Sequence, residues 1–82
     1  MFKIEWKENA IREISKLEKN IALKIYRKVD SLIADIKSSD VKRLKGQNMF
    51  RLRVGDYWVL FEIKGELITV LKVGHRKNIY DF

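Results

Sequence analysis

The chain has 82 residues, 46% of them apolar, with 18 Lys+Arg against 11 Asp+Glu and a formal net charge of +7. This length predicts one domain, 1–82, and the absence of cysteine excludes a disulfide framework and a thiolate metal site. A single histidine, no apolar run of about 18 residues and a charged start, "MFKIEWKENA", exclude a histidine-rich metal site, a transmembrane helix and a secretory signal, so a cytoplasmic protein is expected.

The charge is uneven. Residues 1–40 carry 9 basic and 7 acidic groups, and residues 41–82 carry 9 basic and 4 acidic. The second half is therefore the better candidate for an anionic partner, although a basic surface also serves solubility alone.

"FKIEW" alternates, with Phe2, Ile4 and Trp6 on one side, and predicts a half-buried strand. From about Lys7 the period lengthens. Ala10, Ile11, Ile14 and Leu17 form the stripe of a first helix. Asn20 is the expected N-cap of a second helix running to about Lys37, with Ile21, Ile25, Val29, Leu32, Ile33 and Ile36 on its buried face.

Beyond "VKRLKGQN" the period returns to two. Phe50, Leu52 and Val54 face one way; Arg51 and Arg53 face the other. "GD" predicts a two-residue type II′ hairpin loop at Gly55-Asp56. That pairs Val54 with Tyr57, Arg53 with Trp58, Leu52 with Val59 and Arg51 with Leu60.

"KGE" predicts a second turn, at Lys64-Gly65 or Gly65-Glu66, leading into "LITVLKV". Ile68 and Val70 are assigned to the core, and Thr69, Leu71 and Val73 to the arginine face. The tail leaves the sheet at Gly74. The expected fold is α+β, β-α-α-β-β-β, a helical hairpin packed on one face of an antiparallel sheet. The other face is left uncovered by helices.

There is no phosphate-binding glycine loop, no catalytic acid pair and no nucleophile motif, so no metal or nucleotide cofactor is expected. What remains is cationic and aromatic: Arg51, Arg53, His75, Arg76 and Tyr80, with Lys42, Arg43 and Lys45 at the rim. Arginine on a rigid strand can clamp phosphate, and an aromatic ring can stack on a base. A solvated strand face would show the same alternation. Trp58 could simply cover Leu60 and Leu71, and Tyr80 could simply pin the tail. Against the bland reading, the cations gather without evident acidic partners, an arrangement that calls for an anion.

"KRLKG" at 42–46, "FRLRVGDYWVLFEI" at 50–63 and "VGHRKNIY" at 73–80, in that order, resemble the RelE/ParE superfamily of toxins from type II toxin–antitoxin modules, and the ending points to the RelE-like branch. The resemblance implies a ribosome-dependent endoribonuclease that cuts mRNA in the ribosomal A site, against ribosomal RNA, without a metal. It implies catalytic roles for Arg51, Arg53, Arg76 and Tyr80. Substrate contacts fall to Lys42, Arg43, Lys45, Trp58, His75 and Lys77. It also implies a cognate antitoxin protein as partner, and no membrane. A ParE-like inhibitor of DNA gyrase, or an inactive relative that keeps only antitoxin binding, shares the same fold.

Arginine stays charged, so Arg51, Arg53 and Arg76 would stabilise phosphate rather than carry protons. Tyr80 would need nearby cations to lower a phenol pKa ordinarily at about 10 before it could act as a base. Trp58 departs from the pattern, because after G-D-Y the family characteristically has arginine. Losing that donor fork would cost roughly 3–4 kcal/mol in the transition state, about two to three decades in rate. The tryptophan is either an attenuating change of an arginine codon or a native residue that stacks on a base.

Overall fold

The computed structural model describes residues 1–37, 40–44 and 48–79. The order is β1 (Lys3–Trp6), α1 (Glu8–Ser15), α2 (Lys19–Asp30), a 3₁₀ turn (Ser31–Ile33), β2 (Val41–Arg43), β3 (Met49–Val54), β4 (Tyr57–Lys64) and β5 (Leu67–His75). The five strands form one sheet in the order β1-β5-β4-β3-β2. Helix α1 lies against β5 and α2 against β3. Between them sits a core of Ala10, Ile14, Ile25, Val29, Leu32, Leu52, Val59, Phe61, Ile68, Val70 and Val73.

The α+β class and the helical hairpin on one sheet face are as the periodicity predicts. The sheet, however, is mixed rather than antiparallel. β1 pairs parallel with β5, setting Ile4 beside Ile68 and Trp6 beside Val70. Alternation reveals which residues of β1 are buried but not the strand against which it lies. The short strand β2 is also additional: "VKR" pairs antiparallel with β3, where a basic loop was expected.

The helices differ in their ends. α2 starts at Lys19 after Glu18, and no side chain caps it, so Asn20 is not its N-cap. It stops at Asp30, not near Lys37. There Ser31 Oγ donates to the Lys28 carbonyl (2.6 Å), and the chain tightens into the 3₁₀ turn. Ile33, in that turn, is 41% exposed; on α1 the stripe position Ile11 also faces solvent, at 49%.

The β3–β4 hairpin has the predicted register at every pair from Arg51–Leu60 to Val54–Tyr57. Gly55 has φ +59°, and among the described residues no non-glycine has positive φ, in keeping with a type II′ loop. The second loop is Gly65-Glu66, because Lys64 pairs with Leu67.

The β4–β5 ladder departs from simple alternation. Phe61 pairs with Val70 but Leu60 pairs with Lys72, leaving Leu71 as the extra residue of a β-bulge. Helix α1 satisfies the backbone there. Asn9 Nδ2 donates to the Leu71 carbonyl (3.4 Å), and Val73 N–H donates to Glu13 Oε1 (3.0 Å). Past the bulge the faces exchange. Val73 joins the helix-side core, contrary to its predicted place, and Lys72 moves to the opposite face.

Candidate functional site

Cross-strand register builds the helix-free face row by row. Lys42 pairs with Arg51, Arg51 with Leu60 and Leu60 with Lys72, so these side chains cross four strands in one line. Neighbouring strands lie about 4.8 Å apart, which places the cations within reach of one phosphodiester backbone. The next row is Arg53, Trp58 and Gly74. Leu60 is fully buried at the centre although it lies outside the main core. Long cationic side chains shield an aliphatic neighbour along their stems while keeping their charged heads in water.

The two rows meet at one contact. Arg51 Cζ lies 4.0 Å from the centroid of the Trp58 ring. The two residues are diagonal neighbours on β3 and β4, a spacing that long and aromatic side chains can bridge. The guanidinium therefore rests on the indole instead of extending freely.

Past the end of β5 the chain turns back, with Asn78 N–H and Ile79 N–H both donating to the His75 carbonyl (2.8 and 3.0 Å). Ile79 is buried, and a Cβ added at Gly74 would lie 3.4 Å from the Ile79 Cβ. The Ile79 side chain thus packs over Gly74, the β5 partner of Trp58, with room for no more than a methyl group between them. The site expectations for Tyr80 and Lys45 fall outside the described residues.

A cleft of about 520 Å³ opens at the hairpin end of the sheet, lined by Lys28, Asp40, Arg53, Val54, Gly55, Asp56 and Arg76. It brings together two of the expected arginines. It also corrects the expectation that the cations lack acidic partners. Asp40 pairs with Lys28 (2.7 Å) and Arg53 (3.6 Å), and Asp56 pairs with Arg76 (3.7 Å). The Lys28 ammonium, by hydrogen bond and by charge, holds the Asp40 carboxyl below its ordinary pKa, with Arg53 adding to the effect. Backbone bonds fix the same corner: Arg53 N–H donates to the Asp40 carbonyl and Arg76 N–H to that of Asp56, both at 2.9 Å. Arg53 is nonetheless 67% exposed, so its remaining donors face water.

Other expected residues are not gathered there. His75 pairs with Tyr57, on the helix-side face, and meets that ring edge-on at 5.3 Å. Its Nδ1 accepts from Lys77 N–H (3.1 Å), which leaves Nε2 to carry the proton of the neutral ring. Arg43 pairs with Phe50, also on the helix-side face, and its Nη2 donates to Asn48 Oδ1 (3.4 Å). Lys77 is exposed in the turn after β5.

The sequence reading missed Lys72, Asp40, Asp56 and Lys28. For Lys72 a signal was available. A lysine falling on the supposed core side of "LITVLKV" contradicts uninterrupted alternation and marks a register change.

A helical hairpin on one side of a five-stranded mixed sheet is the architecture of solved RelE toxins. Residues 4–80 match the family described as "ParE toxin of type II toxin-antitoxin system, parDE", and the chain belongs to that family. Toxin RelE3 of Methanocaldococcus jannaschii is 46% identical over 44 residues, covering 52% of this chain and half of that protein. The toxin in the RelB-RelE antitoxin-toxin complex from Methanococcus jannaschii is similar at 26% identity over 93% of this chain and 94% of its own, with a TM-score of 0.79. The isolated E. coli RelE toxin shares the fold at 18% identity, TM-score 0.78, over 92% of this chain and 84% of its own. Among the described residues no helix is long and apolar enough to cross a membrane.

Proposed function

We propose that this chain is the ribonuclease toxin of a type II module, cutting mRNA on the ribosome and silenced by a cognate antitoxin. The observation that carries the reading is the line Lys42–Arg51–Leu60–Lys72, flanked by Arg53 and Trp58, on the face the helices leave uncovered. Charge presented by paired strands is rigid, and a rigid cationic line fits the phosphate backbone of a single strand better than scattered surface lysines would.

In the proposed reaction the ribose 2′-oxygen attacks the adjacent phosphorus and the 5′-oxygen leaves. The products are a 2′,3′-cyclic phosphate and a 5′-hydroxyl. One proton leaves the 2′-hydroxyl and one is delivered to the departing oxygen. Arg51 and Arg53 bind the phosphate, and Arg76 neutralises the charge developing on its oxygens. Binding brings Arg53 and Arg76 into competition between RNA phosphate and their carboxylate partners, Asp40 and Asp56. Tyr80 is the group proposed to move a proton or to stack on the base.

The antitoxin reading draws support from the solved relative, which is a complex of toxin with antitoxin. A second reading, inhibition of DNA gyrase, is favoured by the ParE description of the matched family. An in vitro translation reaction with mapped mRNA ends separates the two. Cuts within codons that require the ribosome support the ribonuclease. Intact mRNA together with gyrase-dependent DNA breaks supports the inhibitor.

A further inference from the structure

We infer that Trp58 is a positioning residue whose indole holds the Arg51 guanidinium in a fixed orientation on the sheet, ready for a phosphate. The inference rests on the reading of this face as RNA-binding, and it assigns Trp58 a task different from stacking on a base. Three features carry it.

The first is the contact. At 4.0 Å from centroid to Cζ, the cation lies against the ring at van der Waals distance. In that pose the N–H groups of the guanidinium, which lie in its own plane, stay available at its edge for two phosphate oxygens. The second is the framing of the indole. Trp58 has Arg53 as its partner on β3 and Gly74 as its partner on β5, and the Ile79 side chain fills the space above Gly74. A ring bounded by an arginine, a seated tail and the fully buried Leu60 along its own strand has little freedom to swing. The third is the charge around Arg51. Lys42 is its cross-strand partner on one side, and no carboxylate pairs with it among the described ion pairs, unlike Arg53 and Arg76. Holding an arginine in place with a carboxylate neutralises it. Holding it with a ring leaves its charge available to an incoming anion.

The reading separates two roles that would otherwise look alike. A base-stacking tryptophan touches RNA directly; a platform acts only through Arg51. A double-mutant cycle distinguishes them. Affinity for a short single-stranded RNA oligonucleotide is measured for the full chain, Trp58→Leu, Arg51→Ala and the double variant. Trp58→Leu keeps apolar cover over Leu60 but removes the π face. It should weaken binding by about 3- to 30-fold, and Trp58→Phe should recover most of that loss. In the Arg51→Ala background, Trp58→Leu should change nothing further. If Trp58→Leu weakens binding equally with or without Arg51, the ring contacts RNA itself and the inference is overturned. If Trp58→Leu binds as the parent does, it is overturned as well.

A readout on the free protein is independent of RNA. The Arg51 side-chain protons lie over the indole and should show upfield ring-current shifts by NMR, abolished in Trp58→Leu. Absence of those shifts in the parent chain refutes the platform. Shifted signals with no RNA binding by the parent chain uphold the stack and refute the ribonuclease reading of the face.

Discussion

Replacing Trp58 with arginine sets a catalytic gain against two local losses. The gain is the donor fork that the resemblance implies at this position, worth roughly 3–4 kcal/mol in the proposed transition state, which accumulates phosphate charge. The first loss is the Arg51 stack, about 0.5–1 kcal/mol for a contact reached by solvent. The second is repulsion, since the new guanidinium would lie diagonally from Arg51 and directly across from Arg53. At roughly 6 Å in a water-like dielectric each such pair costs about 0.7 kcal/mol. The repulsion is present in the free enzyme and in the transition state alike, so it weakens the fold and not kcat/KM; the net catalytic gain is about 2–3.5 kcal/mol, or cleavage roughly 30- to 400-fold faster. The assay is ribosome-dependent mRNA cleavage under subsaturating conditions, so that kcat/KM is read, with Tm measured alongside to register the repulsion. A folded Trp58→Arg variant that cuts no faster than the parent refutes the arithmetic. If both proteins are inert with native circular dichroism, the ribonuclease reading itself falls.

Other expectations concern the scaffold. Glu13→Ala removes the acceptor for the Val73 N–H at the bulge and should destabilise the fold by about 1–3 kcal/mol, read as a lowered Tm; an unchanged Tm would mean that the bulge does not depend on α1. Gly74→Ala should be close to neutral, because its Cβ would meet Ile79 at 3.4 Å. Gly74→Val should displace Ile79, cost about 1–3 kcal/mol and raise amide exchange at residues 76–79, which hydrogen exchange would detect. Asp40 has a lowered pKa in the folded state, so its stabilisation is complete above the unfolded value of about 3.9 and fades as pH falls through the lower folded value. Asp40→Asn should therefore lower Tm at neutral pH, and its Tm should converge with that of the parent in strong acid. A Tm difference that stays constant down to pH 2 would dissociate Asp40 from the effect.

The hairpin was the part most legible in the sequence. Alternation determines which residues of β3 and β4 share a face, and Gly55 with Asp56 determines the loop, so the register of Arg51, Arg53 and Trp58 follows from the sequence alone. The β5 faces were misread because a bulge adds one residue without changing residue chemistry, and one residue is enough to exchange Lys72 and Val73. Tertiary ion pairs were not legible at all. Asp40 is 13 positions from Arg53 and 12 from Lys28, and only the sheet corner brings the three together. His75 was grouped with Arg76 by sequence adjacency, yet strand alternation places it on the helix-side face.

The pairing of β1 with β5 has a consequence for how the toxin comes into being. Lys3 finds its neighbour only at Leu67, so the first strand has no partner until residues 67–70 have been synthesised. Contacts so distant along the chain make folding slow compared with helix formation. A nascent chain lacking β5 also lacks Lys72 and Gly74, hence one end of the cationic line and the seat of Ile79. The charged face is therefore completed only after β5 has been made, although the Lys42–Arg51 and Arg53–Trp58 pairs lie on earlier strands.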